Sequence, residues 1–464
     1  MKDRFDVVVV GSGAGGGVVA GELAERGRDV LLLEAGPHLT AVDFDRWEAK
    51  ATHEFWWPIR FGFLPDGDAV AFLAGRCVGG TTTINTKVAL RAHEKDVAKW
   101  HPETGLTSDG STPFSLGDLE PYYERVEQRL GVRERSDWQP CVRTIDRGFR
   151  ALGHELEPVT SYTDGNCMHC GSCLQGCATN AGKSTGNTYI ADAWARGLLE
   201  LRPESPVERV LIEGGRATGV AYGGRTVHAD VVVVAGGALN TPQILRRSGL
   251  DAPAIGRFLG LHPVRLVYGL FDEPQDAHVT YPISSHFMGC QHDEDGGFVI
   301  EASTIQDPIS FATTLRDEDG PMWGPRLTEA VRKFRYWNGV LAMVNDENNA
   351  SVVVDEDGGE RFDLAFNDRE LARMDASLEL SKQVLEAAGA RQVCWTGLAS
   401  THVQGSCRMG DDPVRSAVDR NGKVHGVEGL YVGDSSLIPR TLSVNPSLTI
   451  MALATRLADH VASL

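Results

Sequence analysis

The chain opens on an apolar run over residues 5–10, Phe-Asp-Val-Val-Val-Val, with almost no polar alternation. Such a run suits a strand buried on both faces of a parallel sheet, where period-two patterning disappears. A glycine-rich turn follows, then a small-residue stretch over 14–26 that predicts a helix packed closely on its sheet, then a second apolar run over 29–34 ending in Glu34. Strand, glycine turn, helix and strand in so short a segment predict a βαβ unit. Further along, 207–237 predicts a meander closing on a buried strand, Asp230-Val-Val-Val-Val. Helices are predicted over 115–130, over 369–388 (leucines and methionine at helical spacing) and over 446–463; a strand is predicted over 429–434. Residues 37–74 are rich in Trp, Phe and Pro without periodicity and predict loops and short elements. The region 262–365 is irregular, with short strands at 340–344 and 351–354 and an acidic tract around 355–360. Neither internal repeats nor a low-complexity linker interrupts the pattern, which predicts interleaved rather than serial domains.

At 464 residues the chain can hold two or three domains with sizeable cores. A net charge of −18 repels nucleic acid and anionic membranes, so neither is expected as a partner. No apolar run approaches the roughly 20 residues of a membrane span. The first strand begins so near Met1 that no signal peptide is expected, and the reading is a cytoplasmic protein. In that compartment free thiols or metal ligands are commoner than disulfides.

Gly11-x-Gly13-x-x-Gly16 lies between strand and helix, the context that gives this spacing its meaning. Gly11 permits the tight turn, Gly13 lets backbone approach a pyrophosphate, and Gly16 lets helix pack on strand; Ala14 opens the helix, whose amides and dipole favour phosphate. Glu34 ends the second strand, where a carboxylate accepts from ribose hydroxyls. Other glycine turns could meet the same ligand: Gly79-Gly80-Thr81 with Asn85, Gly236 after the buried strand, Val207 at the start of the meander, and Gly433-Asp434 with the later Pro446. Contacts so scattered along the chain suit FAD better than NAD.

With these residues assembled, the chain resembles the glucose–methanol–choline (GMC) flavin oxidoreductases over essentially its whole length. The resemblance rests on Gly11-Ser-Gly-Ala-Gly-Gly16 with Leu33-Glu-Ala-Gly36, Gly79-Gly-Thr-Thr-Thr-Ile-Asn85, and Ala235-Gly-Gly-Ala-Leu-Asn-Thr-Pro-Gln-Ile-Leu245. Later in the chain it adds His402-Val-Gln-Gly-Ser-Cys-Arg-Met-Gly410, Gly433-Asp-Ser-Ser-Leu-Ile-Pro439 and Val444-Asn-Pro-Ser-Leu-Thr449. Within the family the motifs are most similar to the long-chain alcohol oxidase branch. The resemblance implies an α/β FAD-binding domain of Rossmann type (1–36, 75–92, 165–261, 400–464) interleaved with an α+β substrate domain containing an antiparallel sheet (37–74, 93–164, 262–399). It implies oxidation of an alcohol CH–OH to carbonyl by hydride transfer to flavin N5, with His402 as base and Asn445 positioning the oxygen. Many members carry a second histidine where this chain has Asn445. Thr81-Thr82-Thr83 contains no histidine, so covalent flavin attachment there is not expected. Residues 182–190 resemble the family's return strand toward the flavin. Trp56, Trp57 and the aromatics of 334–337 could line a substrate wall but are read first as core, and His262, His286 and His292 as core or surface residues.

Cys167-x2-Cys170-x2-Cys173-x3-Cys177 has the spacing of iron–sulfur ligands. Ala178 stands where the ferredoxin pattern has proline, and a single cluster could instead recruit Cys141 or Cys407. Zinc held by these thiols with His169, or disulfides, remain the alternatives. With a cluster, electrons would leave to a carrier protein or a quinone; without one, the enzyme would be an O2-dependent oxidase with structural cysteines. A flavin electron-transfer or sensor protein without alcohol turnover is the reading from another class.

Overall fold

A computed structural model describes residues 2–64, 67–302, 305, 307–355 and 359–464. The acidic tract expected around 355–360 therefore lies partly outside the described residues. The βαβ unit forms as expected: β1 (Arg4–Val10), α1 (Gly16–Glu25) and β2 (Val30–Leu33). Val8, Val9, Leu31 and Leu32 have no exposed surface, and each fully buried side chain of this size contributes about 1.5–3 kcal/mol. The meander forms as Val207–Glu213, Arg216–Tyr222 and Arg225–Val234.

These strands build a seven-stranded sheet, six of them in the order Leu199–Arg202, β2, β1, Arg225–Val234, Arg216–Tyr222 and Val207–Glu213, with Leu430–Val432 as the seventh beside Arg225–Val234. Arg225–Val234 is long enough to serve two neighbours on one edge. Its first half pairs antiparallel with Arg216–Tyr222, and its second half pairs parallel with Leu430–Val432. The register then fixes the site. Val10 lies opposite Leu33 and Val234, and Val234 lies opposite Val432, so four parallel strands end in one line. Gly11, Glu34, Ala235 and Gly433 are the next residues, which brings four distant segments to the carboxyl end of one sheet. The helix Ser447–Ala462 packs across α1 and Glu120–Leu130 on one face of this layer.

A second, thirteen-stranded and mostly antiparallel sheet gathers strands from 60–72, 157–158, 264–302, 315–321, 337–363 and 392–400. In its middle, Phe298–Ala302, Trp337–Val344 and Val264–Leu270 lie side by side, with Glu301 opposite Leu341 and Leu341 opposite Leu266. The helix Asp368–Ala387 covers one face and is opened by a reciprocal Asn367–Glu370 cap.

One expected element differs. Residues 182–190 are not a return strand; Gly186–Ile190 is a π-helical turn running into the helix Ala191–Ala195. Local capping chemistry decides this. Ser184 N donates to Asn187 Oδ1 at 2.7 Å, Asn187 N donates back to Ser184 Oγ at 3.1 Å, and Thr188 Oγ1 closes on the Ser184 carbonyl. Thr185 Oγ1 donates to the Ser12 carbonyl at 2.9 Å and pins the turn against the glycine loop.

Candidate active site

A cavity of about 480 Å³ runs from the carboxyl ends of the parallel strands to the face of the second sheet. At its first end lie Gly11, Gly13, Ala14 and Glu34. Gly11 has φ +93°, and a Cβ there would stand 2.3 Å from the Ala235 carbonyl oxygen, so only glycine fits. At Gly13 a Cβ would meet no protein atom within 4 Å, which leaves the backbone open to a ligand. Gly16 lies off the cavity wall and does the packing expected of it: a Cβ would fall 2.0 Å from the Gly11 carbonyl oxygen.

Glu34 is buried, and desolvation raises its carboxyl above the usual range against the pull of its hydrogen bonds. Ser12 donates to Oε2 through both its amide (3.0 Å) and its hydroxyl (2.6 Å), and Gly36 N donates to Oε1 at 2.8 Å. The same Ser12 hydroxyl accepts from Gly79 N at 2.9 Å. Ser12 therefore ties together the fingerprint loop, the acidic strand end and the second glycine turn. The fingerprint spacing is silent about this residue, since it occupies a variable position.

Gly80, Thr81 and Asn85 line the middle of the cavity, and Gly79 sits just behind them as the left-handed residue before the short helix Gly80–Thr82. Val207, Gly236 and Asp434 also reach the wall. Asp434 accepts from Gly237 N (2.8 Å) and Thr241 Oγ1 (2.5 Å) on one oxygen and from Ser436 N (2.8 Å) on the other. Burial nonetheless holds its carboxyl above the ordinary value. Open glycine backbone, a helix N-terminus and buried carboxylates at two strand ends make a donor and acceptor set that fits an elongated dinucleotide.

At the far end stand His402, Asn445 and Pro446. Asn445 is 5% exposed and its Oδ1 has no protein partner. His402 opens partly on the cavity, its Nδ1 is unpartnered, and desolvation pushes its imidazole down to about 4. Behind it lies His262, fully buried at φ +50° with both ring nitrogens unpartnered and its ring 5.3 Å from that of His402. Burial first, and the neighbouring His402 second, hold His262 neutral. The apolar wall comes from Val264, Leu266, Ile283, Leu341 and Ala399. Trp56 and Trp57 also line the cavity, contrary to the first reading of them as core residues. The reading holds for Trp337, which is buried in a core cluster with Phe311. His286 is core as well.

Sequence reasoning passed over Glu301. It is 1% exposed, lines the cavity, and neither of its oxygens completes a hydrogen bond with protein. Desolvation raises it to about 7, with the Asn445 amide near enough to draw it partly down. Its signal was present, a lone carboxylate inside the apolar run Phe298-Val-Ile-Glu-Ala302.

The four cysteines of 167–177 do not form the expected ligand set. Among the described residues no group of three or more His, Cys, Asp or Glu side chains is arranged to hold a metal ion, and all four thiols are free. The Cys173 thiol lies near enough to Cys167, Cys170 and Cys177 to feel their charge. Cys170 is exposed, and burial pushes the Cys173 thiol up to about 12. Cys177 is opposed by burial but held below its usual value by hydrogen bonds, Gly182 N donating to its Sγ at 3.2 Å. His169 faces Asp137 at 3.2 Å instead of the thiols. Cys141 and Cys407 are buried elsewhere, in separate core clusters. Neither an iron–sulfur cluster nor a zinc site is supported by the arrangement of the described residues. Among the described residues, no helix is long and apolar enough to cross a membrane.

Comparison with known proteins agrees with this geometry. Residues 5–264 match the N-terminal and residues 351–454 the C-terminal family model of the GMC oxidoreductases. A long-chain-alcohol oxidase of Arabidopsis thaliana is 30% identical, the match covering 97% of this chain and 66% of that protein. The chain thus spans about two thirds of that relative's length. An uncharacterized GMC-type oxidoreductase of Mycobacterium tuberculosis is 32% identical over 98% of this chain and 76% of its own length. Among solved structures, pyridoxine 4-oxidase from Mesorbium loti superposes with a TM-score of 0.76 at 20% identity, covering 98% of this chain and 99% of that one. The chain belongs to the GMC oxidoreductase family and is a flavin oxidoreductase.

Proposed function

We propose that this protein oxidises an apolar alcohol to the corresponding carbonyl compound, with FAD held in the glycine-lined part of the cavity. The observation that carries the reading is one continuous cavity with a dinucleotide cradle at one end and His402 and Asn445 at the other. Gly11, Gly13 and Ala14 would face the pyrophosphate, Glu34 the ribose, Gly236 and Asp434 the ribityl chain, and Gly80, Thr81 and Asn85 the ring system. When bound, FAD supplies a two-electron acceptor for the hydrogen on the alcohol carbon. His402, kept neutral by burial, receives the hydrogen bond of the reacting hydroxyl. Asn445, its Oδ1 unpartnered, orients the same oxygen. The aliphatic wall of Leu266, Leu341 and Ile283 favours an alkyl chain, and a relative is named for long-chain alcohols.

The terminal acceptor we assign is dioxygen, a reading supported by relatives named oxidases. The test is hydrogen peroxide formation by the flavin-loaded protein on a homologous series of primary alcohols. Peroxide whose kcat/KM rises with chain length supports the reading. Flavin reduction that is equally fast with short polar alcohols removes the apolar substrate, and reduction without peroxide removes dioxygen as acceptor.

A further inference from the structure

The antiparallel sheet that walls the cavity continues beyond it. Val264 and Ala399 lie on the cavity wall and stand opposite each other on neighbouring strands. Ala399 in turn stands opposite Ala71, and Ala71 opposite Phe61, on the strands Ala69–Phe72 and Arg60–Phe63. Directly opposed residues share one face of a sheet. The row Val264, Ala399, Ala71, Phe61 therefore leads out of the cavity along a single face, over three strand spacings or about 14 Å.

The outer end of this face has the wrong polarity for water. A solvated face of an antiparallel strand reads polar. Here Phe61 is 50% exposed and Phe63, two residues on and on the same side, is 65% exposed; Ile59, just ahead of the strand, is 44% exposed. The opposite face closes the core without them, since Gly62 lies against Leu364 while Val70 and Phe72 are buried. The apolar face stops at the next strand, where Asp363 stands opposite Phe63 and pairs with Arg361 at 2.8 Å. Exposed apolar patches with a polar rim mark binding grooves. The inner end of the same face is different again. Glu301 stands there, opposite Leu341 and beyond it Leu266, and Asn445 lies near it; both are buried and carry oxygens without protein partners. Polar groups at the closed end and apolar surface along the rest match a molecule with one polar end and a long chain.

We propose that Phe61 and Phe63 form an outer subsite for the distal part of a long alkyl chain, which reaches them from the cavity over Ala399 and Ala71. This rests on the alcohol-oxidation reading above. With the hydroxyl held at His402 and Asn445, the first methylenes lie on Leu266, Leu341 and Val264. The two alanines, small between Val264 and Phe61, leave a trough in which the chain crosses, and its end lies against the two phenyl rings. Each methylene removed from water on this face adds affinity, so selection for length extends past the cavity itself.

The test uses the FAD-loaded enzyme with octanol and hexadecanol, each delivered as monomer from cyclodextrin. Wild type is compared with the double variant Phe61→Ser/Phe63→Ser and with Ala71→Phe, which fills the trough but keeps it apolar. In the double variant kcat/KM for flavin reduction by hexadecanol is expected to fall about 10-fold, through KM, while octanol, too short to reach Phe61, stays within about twofold of wild type. Ala71→Phe should show the same split between the two alcohols. The Kd of hexadecyl methyl ether, which has no hydroxyl to oxidise, should rise about 10-fold in both variants when read from the flavin spectrum. Equal losses with both alcohols, or an unchanged hexadecanol KM in both variants, overturn the outer subsite and leave alcohol oxidation intact. A loss seen only with hexadecanol presented in phosphatidylcholine vesicles would assign the face to a lipid surface. A wild-type dimer that the double variant splits would assign it to a second copy of the chain. Either result overturns the proposal. A wild type reduced by no alcohol removes the alcohol-oxidation reading, and the proposal with it.

Discussion

Ser12→Ala isolates the clamp that joins three segments of the cofactor cradle. Two interactions go with the hydroxyl. The first is the 2.6 Å hydrogen bond to the Glu34 carboxylate, and charge-assisted bonds of this kind contribute about 1.5–3 kcal/mol. The second is the acceptor for Gly79 N, and an orphaned buried amide costs about 1–3 kcal/mol. The Ser12 amide still donates to Glu34, so the carboxylate is not abandoned. A loss of about 2.5–6 kcal/mol follows if nothing refills the site, measured by urea unfolding of the cofactor-free protein. The loss should depend on pH. Glu34 is already raised in the fold by burial, and the Ser12 hydroxyl is the largest interaction that lowers it, so the substitution raises it further. A raised carboxyl destabilises the fold only above its unfolded value of 4.5, with the destabilisation growing until pH passes the folded value. Below 4.5 the group is neutral in both states and the lost bond contributes about 0.5–1.5 kcal/mol. Wild type and Ser12→Ala should therefore diverge as pH rises from acid to neutral. Parallel stability curves across that range would refute a charged Glu34 held by Ser12, and a loss below about 1 kcal/mol at neutral pH would refute the clamp.

Gly11→Ala forces a Cβ to 2.3 Å from the Ala235 carbonyl at φ +93°, so the purified protein should carry little or no flavin by absorbance; a normal flavin content would show that the strand ends separate easily. His402→Gln should retain its flavin but reduce it with alcohols about 100-fold more slowly in stopped flow, and a rate within twofold of wild type would remove His402 from the reacting end. Protein purified without oxygen should hold flavin but no stoichiometric iron or acid-labile sulfide, because no group among the described residues is arranged to hold a metal; stoichiometric iron and sulfide would show that the segment rearranges around a cluster.

Spacing alone carried the reading furthest where chemistry is local. The βαβ unit, the meander and the helix capped by Asn367 each depend on contacts within a few residues, and all are present. Elsewhere local spacing went without support. The run from Cys167 to Cys177 has ligand-like intervals, yet among the described residues no group is arranged to hold a metal. There, Gly182 N and the Asp137 carboxylate compete for Cys177 and His169. Residues 182–190 failed for the opposite reason, since the Ser184–Asn187 cap is a local signal that outweighs resemblance to a strand.

The sequence by itself determined that a dinucleotide-type turn exists at Gly11–Gly16 and that a histidine and an asparagine follow far downstream, because glycine geometry and strand patterning are written into neighbouring positions. Only the tertiary structure decided that Glu34, Asp434, His402, Asn445 and Glu301 share one cavity. That convergence is set by parallel register, which ends four strands at one line, and by the cross-strand row that turns Glu301 inward. Register is a property of pairing between distant segments, and burial, which raises Glu301 and depresses His402, exists only once the two sheets have closed around the cavity.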